Sequence, residues 1–395
     1  MFVSAYSGSD FEYYSKIFEV PEEIIAASNG NINMWFPQAN KIKIPGYMPA
    51  YYQTKHNDTL HSIAAKYRIN INALCIVNRI FSSKYLYPGQ IIIIPRKIKK
   101  LIVDPDEPIS YEKLMHYLMQ LTYLYPFLFT RNLGKSVLGK DIPEVIVGTG
   151  RKRVHINASF HANEWITTNV LIYFLNEYAL ALANNEEISG RSALSLFKET
   201  QLSITPMVNP DGVNLVLFGA QAAGPFSSYV QQLNKGKNSY KDWKANIRGV
   251  DLNNQFPADW HLEVPRKPQV PAPRDFPGYF PLSEPEALVM ANVTAHSNFD
   301  RVVALHTQGK EFYWGYKGLE PPESKKLAAE FSRVSGYKSV QMIDSYAGYK
   351  DWFIQVWRKP GFTIELGEGV NPLPLSQFDE IYEDTKGILA ASLYM

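Results

Sequence analysis

Val154–Thr168, VHINASFHANEWITT, is the stretch from which the rest of this chain can be read. Val154, Ile156, Ala158 and Phe160 alternate with His155, Asn157, Ser159 and His161, which predicts a strand with two unlike faces ending at His161. The period then changes. Ile166, Val170, Phe174 and Tyr178 recur every fourth residue, with Leu171, Leu175 and Leu182 beside them, predicting an amphipathic helix over 164–183. His161 and Glu164 fall at the strand-to-helix junction, where an open α/β sheet places its ligand crevice. A neutral imidazole and a carboxylate three residues apart in such a turn can both reach one cation, and zinc accepts both ligand types. With eight histidines in the chain, the isolated pair reads equally well as a structural His–carboxylate hydrogen bond.

Outward from this junction, helical and strand patterns alternate. A helix is predicted from Ser110, its cap, to Tyr125, stopped by Pro126. Strand-like runs follow at 127–137, 144–148 and 202–208, and a helix opens at Ser283-Glu284-Pro285-Glu286. Val302–Leu305 reads as a buried strand and Phe362–Leu366 as another. The alternation predicts an α/β sheet covered on both sides, in a domain over 110–395.

Upstream lies an internal repeat. A shift of 49 lays Phe11, Phe18, Val20, Ile25 and Asn29 on Leu60, Tyr67, Ile69, Leu74 and Asn78; a shift of 50 lays Ile42–Pro45 on Ile92–Pro95. Each copy reads as strand, helix, helix, strand, over 1–46 and 50–96. In the second, Asp58 or Thr59 caps a helix to Tyr67, a second helix spans 71–78, and Pro88-Gly89 turns into the last strand. NDTLHSIAAKYRIN and LYPGQIIIIP resemble the lysin motif; SGSDFEYYSKIFEV and NKIKIP are a divergent match lacking the Pro-Gly-Gln signature. The resemblance implies binding to N-acetylglucosamine-containing glycans such as peptidoglycan. Residues 97–109, a basic cluster followed by Asp104-Pro105-Asp106-Glu107-Pro108, are expected to form a solvated linker.

Composition narrows the function classes. A hydrophobic share of 46% supports a sizeable core, and a net charge of +2 supplies no field favouring nucleic acid or an anionic membrane. A single cysteine, Cys75, excludes an internal disulfide. Asp10, Glu12, Lys16 and Glu19 leave no room for a signal-peptide core, and no apolar run is expected to span a membrane. The expected setting is cytoplasmic or spore-associated; oligomeric state is not legible.

Further motifs follow in order: Asn209-Pro210-Asp211-Gly212 after a strand, Trp243-Lys244-Ala245-Asn246 before Gly249-Val250-Asp251-Leu252-Asn253, His306 closing RVVALH, and Glu365 in GFTIELGEG. Together with His161 and Glu164 they resemble the zinc carboxypeptidase superfamily over roughly Ser110 to Met395. The resemblance implies a mixed sheet flanked by helices, one Zn2+ per chain held by His161, Glu164 and His306, and Glu365 as general base. In period-2 register Glu365 faces away from Phe362, Ile364 and Leu366 and can point into a cleft.

Three departures bear on specificity. Where pancreatic-type members carry Asn-Arg, this chain has Asn253-Asn254, and an amide cannot fork onto a terminal carboxylate as guanidinium does. Lys244 stands where an arginine usually faces the oxyanion, offering a point charge. Tyr346 is the nearest counterpart of the family's mobile tyrosine, with packing as its alternative role. HANEWITTN, Asn254 and the paired modules look like the γ-D-glutamyl-L-diamino acid endopeptidase I subgroup of sporulating bacilli, implying cleavage of peptidoglycan stem peptides, with glycan strands as the anchoring partner. The competitors are a general metallocarboxypeptidase, an acyl-amino-acid amidohydrolase, and a non-enzymatic wall-binding spore protein. The proline-rich Pro265–Pro285 is expected to be either a stiff surface loop or a cleft wall whose Arg266, Lys267 and Arg274 meet substrate carboxylates.

Overall fold

The computed structural model describes residues 1–5, 9–30, 41–80 and 86–395. Ser7-Gly8, 31–40 (with the Asn40 that opens NKIKIP) and 81–85 lie outside the described residues. The chain forms two compact units.

The first unit comprises 1–102, 117–129 and 176–195. It contains two strand–helix–helix–strand folds. In one, Phe2–Ser4 pairs antiparallel with Lys41–Lys43, enclosing helices Phe11–Phe18 and Glu22–Ser28. In the other, Tyr47–Gln53 pairs with Ile91–Lys97, enclosing Leu60–Tyr67 and Ile71–Asn78. Thr59, not Asp58, caps the first of these helices, in a reciprocal box with Ser62. Asp58 instead accepts from the Tyr52 hydroxyl and the Lys55 N–H. The repeat is also visible in its hydrogen bonds. Asn29 donates to Ile25 O and Lys43 O and accepts from Lys43 N; Asn78 donates to Leu74 O and Ile93 O and accepts from Ile93 N.

The second unit comprises 103–116, 130–175 and 196–395 and carries the large sheet. From edge to edge its strands are Lys338–Val340, Glu311–Tyr313, Gly361–Leu366, Arg301–Thr307, Lys152–Asn157, Thr200–Thr205, Asp141–Val147 and Phe129–Lys135. The four central strands run parallel and their neighbours on either side antiparallel, so the sheet is mixed. Every residue of Arg301–Thr307 is buried, as expected of a strand covered on both faces. The same cover explains why His155 and Asn157, on the polar face of Lys152–Asn157, are as buried as Val154 and Ile156 on the other. His155 stacks on Phe299 at 4.7 Å, and its Nδ1 lies 2.8 Å from the Ser203 hydroxyl, which donates to Glu144. From Lys152–Asn157 the chain passes to Thr200–Thr205 on one side, while Arg301–Thr307 lies on the other. That reversal creates a crevice at the carboxyl ends of the strands.

Three expectations are corrected. The strand stops at Asn157, four residues before His161, because Ser159 adopts φ 50° and leaves the sheet. One helical stretch, Ala162–Asn184, is long and apolar enough to cross a membrane by length and composition, but 89% of its apolar window is buried within the protein. Residues 98–110 form no regular element, yet they are docked rather than solvated throughout. Val103 and Ile109 are buried, and Ile102 N and Ile109 N donate to Asn176 Oδ1 and Asn169 Oδ1.

Candidate metal centre

The turn after Asn157 is held from several sides. Ala158 N donates to Thr205 O, and Val208 N donates to Ala158 O. Ser159 N donates to Thr167 Oγ1 at 2.9 Å, and its hydroxyl lies 2.7 Å from Thr168 Oγ1. The Asn209-Pro210-Asp211-Gly212 motif proves to be a brace for this turn. Asn209 caps the Pro210–Phe218 helix by accepting from Gly212 N, while its amide donates to Phe160 O and Ala245 O. A Cβ on Gly212 would stand 2.8 Å from Ala162 Cβ, so only glycine lets the helix approach this closely.

Three buried donors converge on one point. His161 Nδ1 is 2.8 Å from Glu164 Oε1, His306 Nδ1 is 2.9 Å from Glu164 Oε2, and the two Nδ1 atoms are 3.1 Å apart. His306 is supplied by the carboxyl end of Arg301–Thr307, across the crevice from the turn. Two imidazole nitrogens facing each other beside a carboxylate repel if both are protonated, and with one proton between them the unprotonated nitrogen and the carboxylate compete for the single donor. A cation between them satisfies all three, and two nitrogens with one carboxylate oxygen is a zinc donor set. Phe160 lies nearly parallel to the His306 ring, 12° between planes at 6.0 Å, and packs beneath it.

Around the triad the charges alternate. Asp251 Oδ1 lies 3.1 Å from His161 Nε2, and Asp251 Oδ2 lies 2.8 Å from the Lys244 ammonium. Lys244 also meets Asp275 at 3.3 Å, and its carbonyl accepts from Ala162 N. Burial alone would raise the Glu164 carboxyl, but the His161 and His306 imidazoles outweigh it and hold Glu164 well below the usual carboxylate range. Burial would lower His161; Glu164 and Asp251 overcome it and push the imidazole up to about 9. Burial keeps His306 below its ordinary value. Asp251, against its own burial, is held well down by Lys244 and His161.

Glu365 is the register partner of His306 on the adjacent parallel strand. It points away from buried Phe362, Ile364 and Leu366, toward the same face as His306. Burial, reinforced by the Glu164 carboxylate, pushes its carboxyl up to about 8.

The structure thus brings His161, Glu164, His306, Lys244 and Glu365 into one electrostatic cluster. Asn253 and Asn254 follow Asp251 in a short helical turn; Asn253 Oδ1 accepts from Tyr349 N at the start of the Tyr349–Trp357 helix, and Asn254 is buried. The Tyr346 ring lies between the Arg266 guanidinium at 5.6 Å and the Lys317 ammonium at 5.7 Å, against Tyr316. The three cations of the proline-rich loop already have internal partners: Arg266 with Asp344, Lys267 with Glu263 and Arg274 with Asp275. Asp251, inside the Gly249–Asn253 motif, and Asp275 carry no role that the sequence alone assigns. The only sign of the first was an acidic residue inside the apolar frame of Gly249–Leu252.

Comparison with known proteins gives the family. Residues 114–387 match the family described as zinc carboxypeptidase, and residues 52–95 match the LysM domain. The chain is 47% identical to Gamma-D-glutamyl-L-diamino acid endopeptidase 1 of Lysinibacillus sphaericus over 98% of both chains. It is 41% identical to the uncharacterized protein YqgT of Bacillus subtilis (strain 168), covering 96% of this chain and 94% of that one. In fold it is similar to thrombin activatable fibrinolysis inhibitor, with a TM-score of 0.60 at 18% identity over 73% of this chain and 74% of that one.

Proposed function

Because the chain belongs to the zinc carboxypeptidase family and carries a LysM domain, we propose that it is a peptidoglycan hydrolase that cuts the stem peptide between γ-D-glutamate and the L-diamino acid. The observation that carries this reading is the full-length likeness, 47% over 98% of both chains, to a relative whose name states that bond. Asn254 supports it from the other direction, since an amide in place of arginine lacks the fork that grips a free terminal carboxylate.

The reading assigns His161, Glu164 and His306 to the metal. Held there, zinc would supply a Lewis acid able to acidify a water and polarise the scissile carbonyl. Glu365 is placed to take a proton from an attacking water as its oxygen bonds to the carbonyl carbon, and to return that proton to the leaving nitrogen as the C–N bond breaks, so that one carboxyl serves as base and then acid. A carboxyl raised toward neutrality by burial suits both halves of that transfer. Asp251 orients His161 through Nε2 and leaves Nδ1 free for the metal. Lys244 offers a point charge to the developing oxyanion, moderated by its two carboxylate partners. The neighbours of Tyr346 favour packing over a part in the chemistry. The lysin-motif modules hold the enzyme on wall glycan and raise its concentration at stem peptides.

Digestion of defined muropeptides, with mass spectrometry locating the cut, tests the proposal. The expected products end in γ-D-glutamate and begin with the diamino acid, and a chelator should abolish them. Trimming from free C-termini instead would overturn it.

A further inference from the structure

The sheet face that carries His306 continues beyond Glu365. Glu311 is the antiparallel register partner of Glu365, as His306 is its parallel one, so His306, Glu365 and Glu311 form a row across three adjacent strands. Directly paired residues project to one face. Phe312, the next residue, is buried on the opposite face against Phe331 and Phe362. Strand spacing puts the Glu311 backbone about 10 Å from that of His306.

A carboxylate in this row is stabilised by a cation placed beside it, as opposite charges are on neighbouring strands. Lys244 is committed to Asp251 and Asp275. Among the described residues Glu311 pairs with Lys338 at 3.6 Å, on a side chain 76% exposed, a screened contact that contributes little. The Tyr313 hydroxyl donates to Glu311 Oε1 at 2.5 Å and fixes the carboxylate without neutralising it. Glu311 keeps 23% of its side chain open, so a ligand can reach it.

We propose that Glu311 is a specificity-determining residue that receives the side-chain ammonium of the diamino acid on the leaving side of the scissile bond. This rests on the stem-peptide reading and adds to it the residue that recognises the second amino group. With the leaving nitrogen beside Glu365, a side chain of four or five single bonds reaches roughly 6 Å, enough to cover the one-strand step to Glu311. The ammonium then completes the row, facing a carboxylate held ready by Tyr313.

The test is steady-state kinetics on γ-D-glutamyl peptides whose leaving residue is L-lysine or its near-isostere 6-hydroxynorleucine, which lacks the charge. Wild-type enzyme should prefer the lysine peptide by about 10- to 100-fold in kcat/KM. Glu311→Gln should bring that ratio close to one, mainly through KM, while Glu311→Asp retains part of it. A wild-type ratio near one overturns the proposal, as does a Glu311→Gln enzyme that keeps the wild-type preference. Should Glu311→Gln not fold, the wild-type ratio and the Glu311→Asp ratio still decide. Zinc-loaded wild type that cuts no γ-D-glutamyl-diamino acid peptide, whether lysine or diaminopimelate, would overturn the stem-peptide reading itself, an outcome distinct from cutting both peptides alike.

Discussion

Asp251 Oδ1 stands 3.1 Å from His161 Nε2, on the ring edge opposite the Nδ1 that faces Glu164 and His306. A carboxylate there selects the tautomer with Nδ1 unprotonated and raises the basicity of the ligand. Asp251→Asn should therefore weaken zinc affinity by about 10- to 100-fold while the triad stays in place. Competition with a chromophoric chelator measures this. Affinity equal to wild type would mean that the contact only packs.

Glu365 shares a face with His306 but joins none of the three converging donors. Glu365→Gln should accordingly keep zinc and lose about 10²- to 10⁴-fold in kcat. Metal analysis alongside kinetics separates the two effects. Lost zinc would make Glu365 a ligand, and near-normal kcat would remove it as base.

His306 is the donor that comes from the far side of the crevice. His306→Ala leaves one imidazole and one carboxylate, too few for a closed three-ligand grip. Purified protein should contain far less than the roughly one zinc per chain expected of the wild type. Undiminished occupancy would show that another side chain holds the ion.

Much of this was legible because it depended on local period. The change from alternation to four-residue spacing around His161 located the metal turn, and the offset of 49 located the second module from Asn29 and Asn78. What was hidden depended on distance. Asp251 meets His161 across 90 residues, and the Glu311–Glu365 pairing requires a strand order in which Glu311–Tyr313 turns back beside a strand formed 50 residues later. The early end of the Lys152–Asn157 strand was also invisible, since Ser159 leaves the sheet through bonds to Thr167 and Thr168 that period-2 spacing does not encode. The cations of the proline-rich loop looked available only because their partners, Glu263 and Asp344 among them, lie outside it.

His155 supplies a pH dependence separate from the metal. Burial lowers its pKa from 6.5 to about 3, so between those values the unfolded chain holds a proton that the folded one does not. The stabilisation is fully present above pH 6.5 and is lost as pH falls toward 3. From about pH 7.5 to pH 5 the loss should be ~2 kcal/mol. Urea unfolding of metal-free wild type and His155→Gln at both pH values checks this, and the variant should show the smaller loss. Equal losses would place the acid lability elsewhere.

Asn78 ties its helix to the last strand of the second module through Leu74 O, Ile93 O and Ile93 N, as Asn29 does in the first module through Ile25 O, Lys43 O and Lys43 N. Alanine at position 78 leaves the Ile93 N–H and C=O without these partners, at a cost of about 1–3 kcal/mol. The loss should be local: amides of Ile91–Lys97 should exchange faster in Asn78→Ala, while those of the buried Arg301–Thr307 strand keep their protection. Glycan affinity should fall with that protection if the module is the anchor, and catalysis on soluble muropeptides should not change. Equal exchange in variant and wild type would show that the Ile91–Lys97 pairing with Tyr47–Gln53 carries the module without its asparagine.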